Sequence, residues 1–318
     1  MPDKPIVICL MGATASGKTA LALALHGRLP VEIVSVDSSQ VYRNMDIGTA
    51  KPSRDELARA PHRLIDIRDP AEPYSAADFC SDAQREIDDI HRSGRIPLLV
   101  GGTMFYFRAL EYGLSALPSA DATIRARLEQ EALGQGWAAL HARLAEIDPA
   151  AGVRIHPNDT QRIQRALEIY ELTGLAPSDA ASAMPAPPQK YRFIKLAIAF
   201  NDRPQLHDRI EKRFHTMLAL GLIEEVKKLL SRGDLSVNLP SVRSVGYRQV
   251  WEYLTDNINY NQMVNSAIAA TRQLAKRQIT WLRSYPELRV LEGDMAQMAR
   301  ESVEYLTTIK GLDGFGRL

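Results

Sequence analysis

Ile6-Val-Ile-Cys-Leu-Met11-Gly12-Ala-Thr-Ala-Ser-Gly17-Lys18-Thr19 opens the chain with a six-residue apolar run that turns at once into a glycine-framed loop. A short continuous apolar run predicts a strand covered on both faces. Gly12, Ala13, Thr14, Ala15, Ser16, Gly17, Lys18 and Thr19 then fill G-x-x-x-x-G-K-[ST] at every fixed position. The glycines let successive amide N–H groups curl inward toward phosphate oxygens. Lys18 adds a compact positive charge, and the Thr19 hydroxyl is the ligand such a loop offers to Mg²⁺. Residues 18–29, rich in Ala and Leu, predict a helix stopped by Pro30. Its positive dipole end falls at the same spot. This stretch announces a polyphosphate site and says nothing about what the phosphates are attached to.

Working outward, Val31–Val36 reads as a second strand, and 63–67, 97–100 and 193–200 as further strands. Helical segments lie between them, at 75–92 and Met104–Tyr112. The alternation predicts an α/β fold with a doubly wound parallel sheet. It breaks between about 117 and 188, where only helices are expected, at 122–133, Trp137–Ile147 and 159–173, followed by an Ala-Pro-rich linker at 176–188. Because 193–200 resembles a returning sheet strand, the helical block is an insertion. The expected division is a core at 1–117 and 189–318 with an inserted helical domain at 118–188. Long helices at 204–231 and 260–285, a strand at Leu288–Leu291, a terminal helix and a frayed tail at 311–318 complete the chain.

The 318 residues are 45% apolar and 24% charged, which excludes disorder, collagen and coiled coil. Lys and Arg total 39 against 38 Asp and Glu, a net charge of +1, so any nucleic-acid surface must be a local patch. The two cysteines, Cys9 and Cys80, lack disulfide or metal-ligand spacing, and Cys9 reads as a buried small hydrophobe. No apolar run near the start reaches the length of a signal or membrane segment, so a cytoplasmic protein is expected.

Two further features bear on chemistry. Asp37, in Asp37-Ser38-Ser39-Gln40, closes the second strand at the sheet edge where ligands bind in open parallel sheets. Spacing alone leaves it either a Mg²⁺-positioning carboxylate or a general base facing a second substrate. Thr103, after Gly101-Gly102 at the end of another strand, reaches the same crevice, caps the following helix, or does both. The second feature is a run of thirty residues between Asp256 and Glu287 without one Asp or Glu. At ~100° per residue, Arg272, Lys276 and Arg283 fall within about 40° of one another on that helix. Leu274, Trp281 and Leu282 occupy a different arc and are expected to pack inward. Solvated faces usually carry acids at i±4 as well, so an acid-free basic face with Arg272, Lys276, Arg277 and Arg283 predicts an anionic partner. Arg243-Ser-Val-Gly-Tyr-Arg248 is a second basic group, and Arg162 with Arg165 a third.

Taken together, these motifs resemble those of the tRNA dimethylallyltransferases, also called tRNA isopentenyltransferases, over nearly the whole length. The matching segments are Gly12 to Thr19, Asp37 to Gln40, Asp46-Ile-Gly-Thr-Ala-Lys51-Pro, Pro61-His-Arg-Leu-Ile-Asp66-Ile, Gly101-Gly-Thr103 and His156-Pro-Asn-Asp159. Arg162 with Arg165, Ser244-Val-Gly-Tyr-Arg-Gln249 and Thr271-Arg-Gln-Leu-Ala-Lys-Arg277-Gln continue the series. The resemblance implies a P-loop kinase-like fold whose helical insertion grips the tRNA anticodon stem-loop. It implies transfer of a dimethylallyl group from dimethylallyl diphosphate to N6 of the adenine 3′ to the anticodon, in tRNAs reading codons that begin with U. Mg²⁺ is the implied metal; a monomer is expected. The family's P-loop binds an allylic diphosphate, so a nucleotide- or ATP-binding label attaches to the motif rather than to its ligand.

The residues implied to contact tRNA are Asp37, Ser38, Ser39, Gln40, Thr103 and Arg125. The group Gln161, Arg162, Ile163, Gln164 and Arg165 follows, then Arg243, Ser244, Val245, Gly246, Tyr247 and Arg248. Arg272, Lys276, Arg277, Gln278, Trp281 and Arg283 complete the set. Asp37 and Thr103 carry the catalytic expectation. Either Arg213 or Arg209 is expected to meet the leaving diphosphate, with Arg213 preferred. A metabolite or nucleotide kinase of the same fold, with Arg162 and Arg165 as lid arginines, is the first competing reading, but it leaves the acid-free helix unexplained. An RNA-binding ATPase is the second, and no N-K-x-D guanine signature favours a GTPase switch.

Overall fold

The structure, a computed structural model, describes residues 4–115, 117–183, 189–199 and 202–312. In chain order the first elements are β1 (Ile6–Met11), α1 (Lys18–His26), β2 (Val31–Val36), α2 (Arg54–Arg59), β3 (His62–Arg63), α3 (Ala76–Arg92), β4 (Ile96–Gly101) and α4 (Met104–Tyr112). A helical series follows: α5 (Ala122–Gln135), α6 (Trp137–Ile147), α7 (Pro149–Arg154), α8 (Thr160–Thr173) and α9 (Pro177–Ala183). Then come β5 (Arg192–Ile198), α10 (Arg203–Ala219), α11 (Leu222–Leu230), α12 (Tyr247–Leu254), α13 (Tyr260–Arg283), β6 (Leu288–Leu291) and α14 (Met295–Thr307). The chain divides into two compact units, one of Met1–Glu111 with Lys190–Leu318 and one of Tyr112–Gln189.

In the first unit six strands form one sheet in the order β3-β2-β4-β1-β5-β6, every pairing parallel. This is the doubly wound α/β sheet the alternation predicts. Strand residues supply both faces in turn. Val7, Cys9 and Met11 join the core beneath α3, α4 and α10 to α13, while Ile8 and Leu10 join the core beneath α1 and α14. Chain order reverses between β4 and β1, so the loops after β1, β2 and β4 converge at one edge. Gly101 makes that convergence possible, since a Cβ there would lie 2.0 Å from the Val36 carbonyl oxygen. Lys195 is the one interior charge on β5, and Glu111 of α4 neutralises it at 2.6 Å.

The second unit is helical, with a core of Leu128, Leu140, Leu144, Ile163 and Leu167. No strand occurs in it among the described residues.

Several sequence expectations are corrected. The strand at 63–67 is limited to His62–Arg63, because Leu64 (φ 62°) and Asp66 (φ 56°) turn left-handed. The Lys51 ammonium holds that turn, bonding Asp66 at 2.5 Å, Asp46 at 2.6 Å and the Tyr42 carbonyl at 2.9 Å. The helix expected at 204–231 is two, broken at Gly221 (φ 99°), a conformation glycine adopts freely. The first helix stops at His26, where Gly27 and a tightened last turn end it before Pro30. Within the expected linker, Pro177–Ala183 is helical and buries Pro177 and Ala180, while 184–188 lie outside the described residues. The expected tail begins with an ordered Leu312, buried at 3% exposure, and 313–318 lie outside the described residues. No helix among the described residues is long and apolar enough to cross a membrane.

Candidate active site

At the converging edge of the first unit lies a cleft of about 380 Å³. The glycine loop forms its floor. Ala15 (φ 61°) and Gly17 (φ 96°) both sit in the left-handed region, the alternation that turns successive N–H groups toward one point. An alanine held there costs roughly 1–3 kcal/mol, which the surrounding loop must offset. The buried Ser16 hydroxyl points into the loop, its Oγ 2.7 Å from where a Gly12 Cβ would stand, with no partner among the described residues. Ala13 is packed among Leu206, Ile210 and Ala275, which fixes the loop from behind.

Lys18 curls back so that Nζ donates to the Ala13 carbonyl at 2.7 Å. Burial and the nearby Arg213 guanidinium pull its pKa down from 10.5 to about 7, against the opposing pull of Asp37. Arg213, from α10, is lowered by burial as well, and again Asp37 alone favours its charge. Two half-buried cations, Lys18 and Arg213, therefore line the cleft together, and Asp37 is the carboxylate lining it that favours both charges. Such a charge set suits a polyanion. Arg209 lies elsewhere, beside Asp202 and Glu292 in a separate cavity, so of the two candidates only Arg213 lines this cleft.

Asp37 ends β2 and is held by its own turn. Its Oδ1 accepts from the Ser39 N–H at 2.8 Å and the Gln40 N–H at 3.2 Å. Thr103 Oγ1 accepts from the Ser38 N–H at 3.1 Å, tying the end of β4 to that same turn. Ser39 and Ser244 share a hydroxyl hydrogen bond of 2.9 Å, and Gln40 donates to the Thr49 and Ala50 carbonyls. Thr19, Asp37, Thr103 and Arg213 thus border one cavity, assembled from segments far apart in sequence.

Other expected contact residues are distributed unevenly. On α13, Thr271, Leu274, Arg277, Gln278 and Trp281 line the cleft; Trp281 also packs against the core and Leu282 is buried, as expected, whereas Leu274 lines the cleft instead. Trp281 carries the Arg108 guanidinium over its ring at 5.7 Å. Gln278 is engaged by the protein itself, its Oε1 accepting from the Thr14 N–H at 2.8 Å and its Nε2 donating to the Gly102 carbonyl at 2.8 Å. Arg272 is not a free cation, because Glu211 of α10 pairs with it at 2.7 Å. The acid missing from its own helix comes from another. Lys276 and Arg283 are exposed, as are Arg243 and Arg248, the last paired to Glu252.

Two of the expected tRNA contacts are core residues. Tyr247 is 1% exposed and Ile163 is 0% exposed, each at an inward position of its helix, and Tyr247 also borders the cleft. In the second unit Gln161 and Arg162 are exposed, and Arg162 pairs with Asp159. Arg125 and Arg165 both bond the fully buried Glu168, at 2.8 and 2.6 Å. Gln164 donates to the Arg125 carbonyl. Glu211 escaped the sequence reading because an acid that organises an arginine on another helix leaves no local signal, and Glu168 because its position three residues after Arg165 does not reveal its second, distant partner Arg125.

A family model described as IPP transferase matches residues 40–285. The chain belongs to the IPP transferase family. A solved tRNA isopentenylpyrophosphate transferase from Bacillus halodurans is 36% identical, with TM-score 0.71 and 99% of each chain covered. One from Staphylococcus epidermidis is 32% identical with TM-score 0.68, covering 96% of this chain and 100% of that one. A eukaryotic dimethylallyltransferase acting on tRNA is 26% identical with TM-score 0.76, covering 96% of this chain and 79% of that one. This member of the IPP transferase family is a prenyl-transferring enzyme on a P-loop kinase-like sheet.

Proposed function

We propose that this IPP transferase moves the dimethylallyl group of dimethylallyl diphosphate to N6 of the adenine 3′ to the anticodon, in tRNAs reading codons that begin with U. One observation carries the reading. The cleft gathers two half-buried cations, Lys18 and Arg213, with Asp37 as the one carboxylate that lines it. In the transfer the N6–C1 bond forms as the C1–O bond breaks, and the bonding pair leaves on diphosphate. Glycine-loop amides, Lys18 and Arg213 stabilise the charge that develops there. Adenine N6 is a weak nucleophile, its lone pair delocalised into the ring, and Asp37 accepts its proton as the new bond forms. Thr103 orients the Asp37 turn through Ser38.

Mg²⁺ fits this arrangement. The Thr19 hydroxyl supplies a hard oxygen donor in the cavity that Lys18 and Arg213 line. That suits an ion bound largely through diphosphate oxygens and water, with Thr19 as its protein ligand. When bound, it would neutralise diphosphate charge.

The target base must leave its stack to enter such a cleft. In the first unit the exposed cations Lys276, Arg283 and Arg243 are suited to tRNA phosphates; Arg248 and, on the helical unit, Arg125, Arg162 and Arg165 would have to share their charge with the acids they already bond. We take the enzyme to act as a cytoplasmic monomer. Mass spectrometry of unmodified tRNA after incubation with dimethylallyl diphosphate and Mg²⁺ tests the whole reading. One added isoprene unit on that adenine is expected. Unmodified tRNA, together with phosphorylation of a small acceptor by ATP, would establish a kinase instead.

Two predictions arise from the charges. Replacing Lys276 and Arg283 by Gln should flatten the slope of log K against log salt by about 1.4–1.8 for tRNA binding, at about 0.7–0.9 per phosphate contact. All tRNAs should weaken alike and diphosphate affinity should not change. Arg272, already paired to Glu211, should add less. An unchanged slope in the folded double variant removes this face from the RNA site.

The second prediction concerns protons. With its pKa near 7, Lys18 is largely neutral at pH 8.5 in the free enzyme, and a bound diphosphate favours its charged form. Binding of dimethylallyl diphosphate at pH 8.5 should therefore take up close to one proton. Calorimetry in two buffers of different ionisation heat reads this directly. Lys18→Arg, always charged, should abolish the uptake, and equal heats for the wild-type enzyme in both buffers would refute it.

A further inference from the structure

Two sequence segments have no role in the chemistry above. Asp46-Ile-Gly-Thr-Ala-Lys51 is a loop between β2 and α2, and Tyr247 starts α12 with its ring buried. Glu225, in the first turn of α11, joins them. Its Oε2 accepts from the N–H groups of Asp46 and Ile47, both at 2.9 Å. Its Oε1 accepts from the Gly48 N–H at 3.1 Å and from the Tyr247 hydroxyl at 2.5 Å. One half-buried carboxylate thus satisfies three consecutive backbone donors and a phenol. Burial and the carboxylate push the Tyr247 phenol well above its usual range, so it remains a donor at every working pH. The ring lies so close over Gly48 that a Cβ there would stand 2.4 Å from it, which fixes loop and helix against each other.

Both joined segments touch the turn that carries Asp37. The loop presents the Thr49 and Ala50 carbonyls that receive the Gln40 side chain. The segment leading into α12 presents Ser244, whose hydroxyl meets Ser39. Ser39 and Gln40 are the residues whose N–H groups hold Asp37 Oδ1. We infer that Glu225 is a positioning residue for prenyl transfer, locking the loop at 46–50 and the start of α12 so that the Asp37 turn presents its carboxylate to the acceptor amine. The inference rests on the reading of Asp37 as the base. It predicts an effect on the chemical step rather than on either ligand's affinity, since Glu225 itself does not line the cleft.

Glu225→Gln tests it. An amide offers one acceptor oxygen and one NH₂ group to four donors, so the NH₂ end opposes backbone N–H groups and the lock loosens. Displacing a reacting group by about 1 Å can cost on the order of 10²-fold. A fall of about 10- to 100-fold in kcat is expected, with KM for tRNA and Kd for dimethylallyl diphosphate within about twofold of wild type. Glu225→Asp, which keeps the charge, should recover part of the loss. Glu224→Gln, its exposed neighbour, should leave kcat unchanged. Tyr247→Phe keeps the ring over Gly48 and removes one contact, so it should lower kcat in the same sense by several-fold. It decides the matter should Glu225→Gln not fold.

An unchanged kcat in folded Glu225→Gln, or a loss shared equally by prenyl diphosphate affinity, overturns the positioning role. Asp37→Asn run alongside reports on the base itself. A wild-type rate there overturns the Asp37 reading and this inference with it, whereas a wild-type rate for Glu225→Gln alone overturns only the inference.

Discussion

Replacing Asp37 by Asn is expected to slow the chemical step by about 10²- to 10⁴-fold, the usual contribution of a positioned general base. The substitution is well matched to its surroundings. Oδ1 accepts two backbone N–H groups, from Ser39 and Gln40, and an asparagine carbonyl can take both and preserve the turn. What changes is the other terminus, where an NH₂ donor replaces the oxygen that would receive the N6 proton. Affinity for the diphosphate should hold or improve. Asp37 is the one nearby charge favouring the protonated forms of Lys18 and Arg213, but it also repels an incoming anion. Single-turnover measurements with saturating substrates separate the chemical step from binding. Recovery of the rate at raised Mg²⁺ would make Asp37 a metal-positioning group and sink its assignment as base, which is the alternative that sequence spacing alone leaves open.

The glycine loop's geometry was legible because it is local. Eight consecutive residues encode the strand end, the left-handed turns and the helix start, so Gly12 to Thr19 could be read without knowing where the rest of the chain goes. Asp37 and Thr103 were legible for a related reason. Each follows a strand, and a parallel sheet brings strand ends to one edge. Arg213 lay at the limit, since only packing distinguishes it from Arg209 four residues away on the same helix. Tertiary contacts decided what sequence could not. The acid-free run suggested four free cations, yet Glu211 from α10 claims Arg272, and Gln278 is occupied in tying Thr14 to Gly102. Ile163 sits between Arg162 and Gln164, and Tyr247 beside Arg248, yet both are buried, because a helix returns every third or fourth residue to its inner face. The Asp46-to-Lys51 loop gave no periodic signal at all. Its shape comes from charges reached across the fold, with Lys51 gripping Asp66 and Glu225 gripping three amides.

Lys18→Ala should reduce kcat/KM for transfer by about 10³-fold or more, while leaving the protein no less stable at low pH. Both expectations come from the same geometry. The Lys18 ammonium has no carboxylate bonded to it, only the Ala13 carbonyl, and it shares a buried space with Arg213. If the proposed diphosphate completes the compensation that Asp37 begins, loss of Lys18 removes a charge-assisted contact and a stabiliser of the leaving group together. tRNA affinity without the diphosphate should stay near wild type. In the free enzyme the sign is opposite. Folding lowers the Lys18 pKa from 10.5 to about 7, so the folded state binds this proton less readily than the unfolded chain. The resulting penalty is absent above pH 10.5, grows as the pH falls toward 7 and is complete below it. Alanine carries no such penalty. The Tm of Lys18→Ala relative to wild type should therefore rise as the pH is lowered from 9 to 6, offset by a pH-independent loss of the bond to Ala13. Calorimetric melts across that range, beside transfer assays at one pH, read both effects on one pair of proteins. A Tm difference that does not change with pH would show that Lys18 is solvated rather than held against Arg213. Normal transfer by the variant would mean that the glycine loop does not hold the diphosphate.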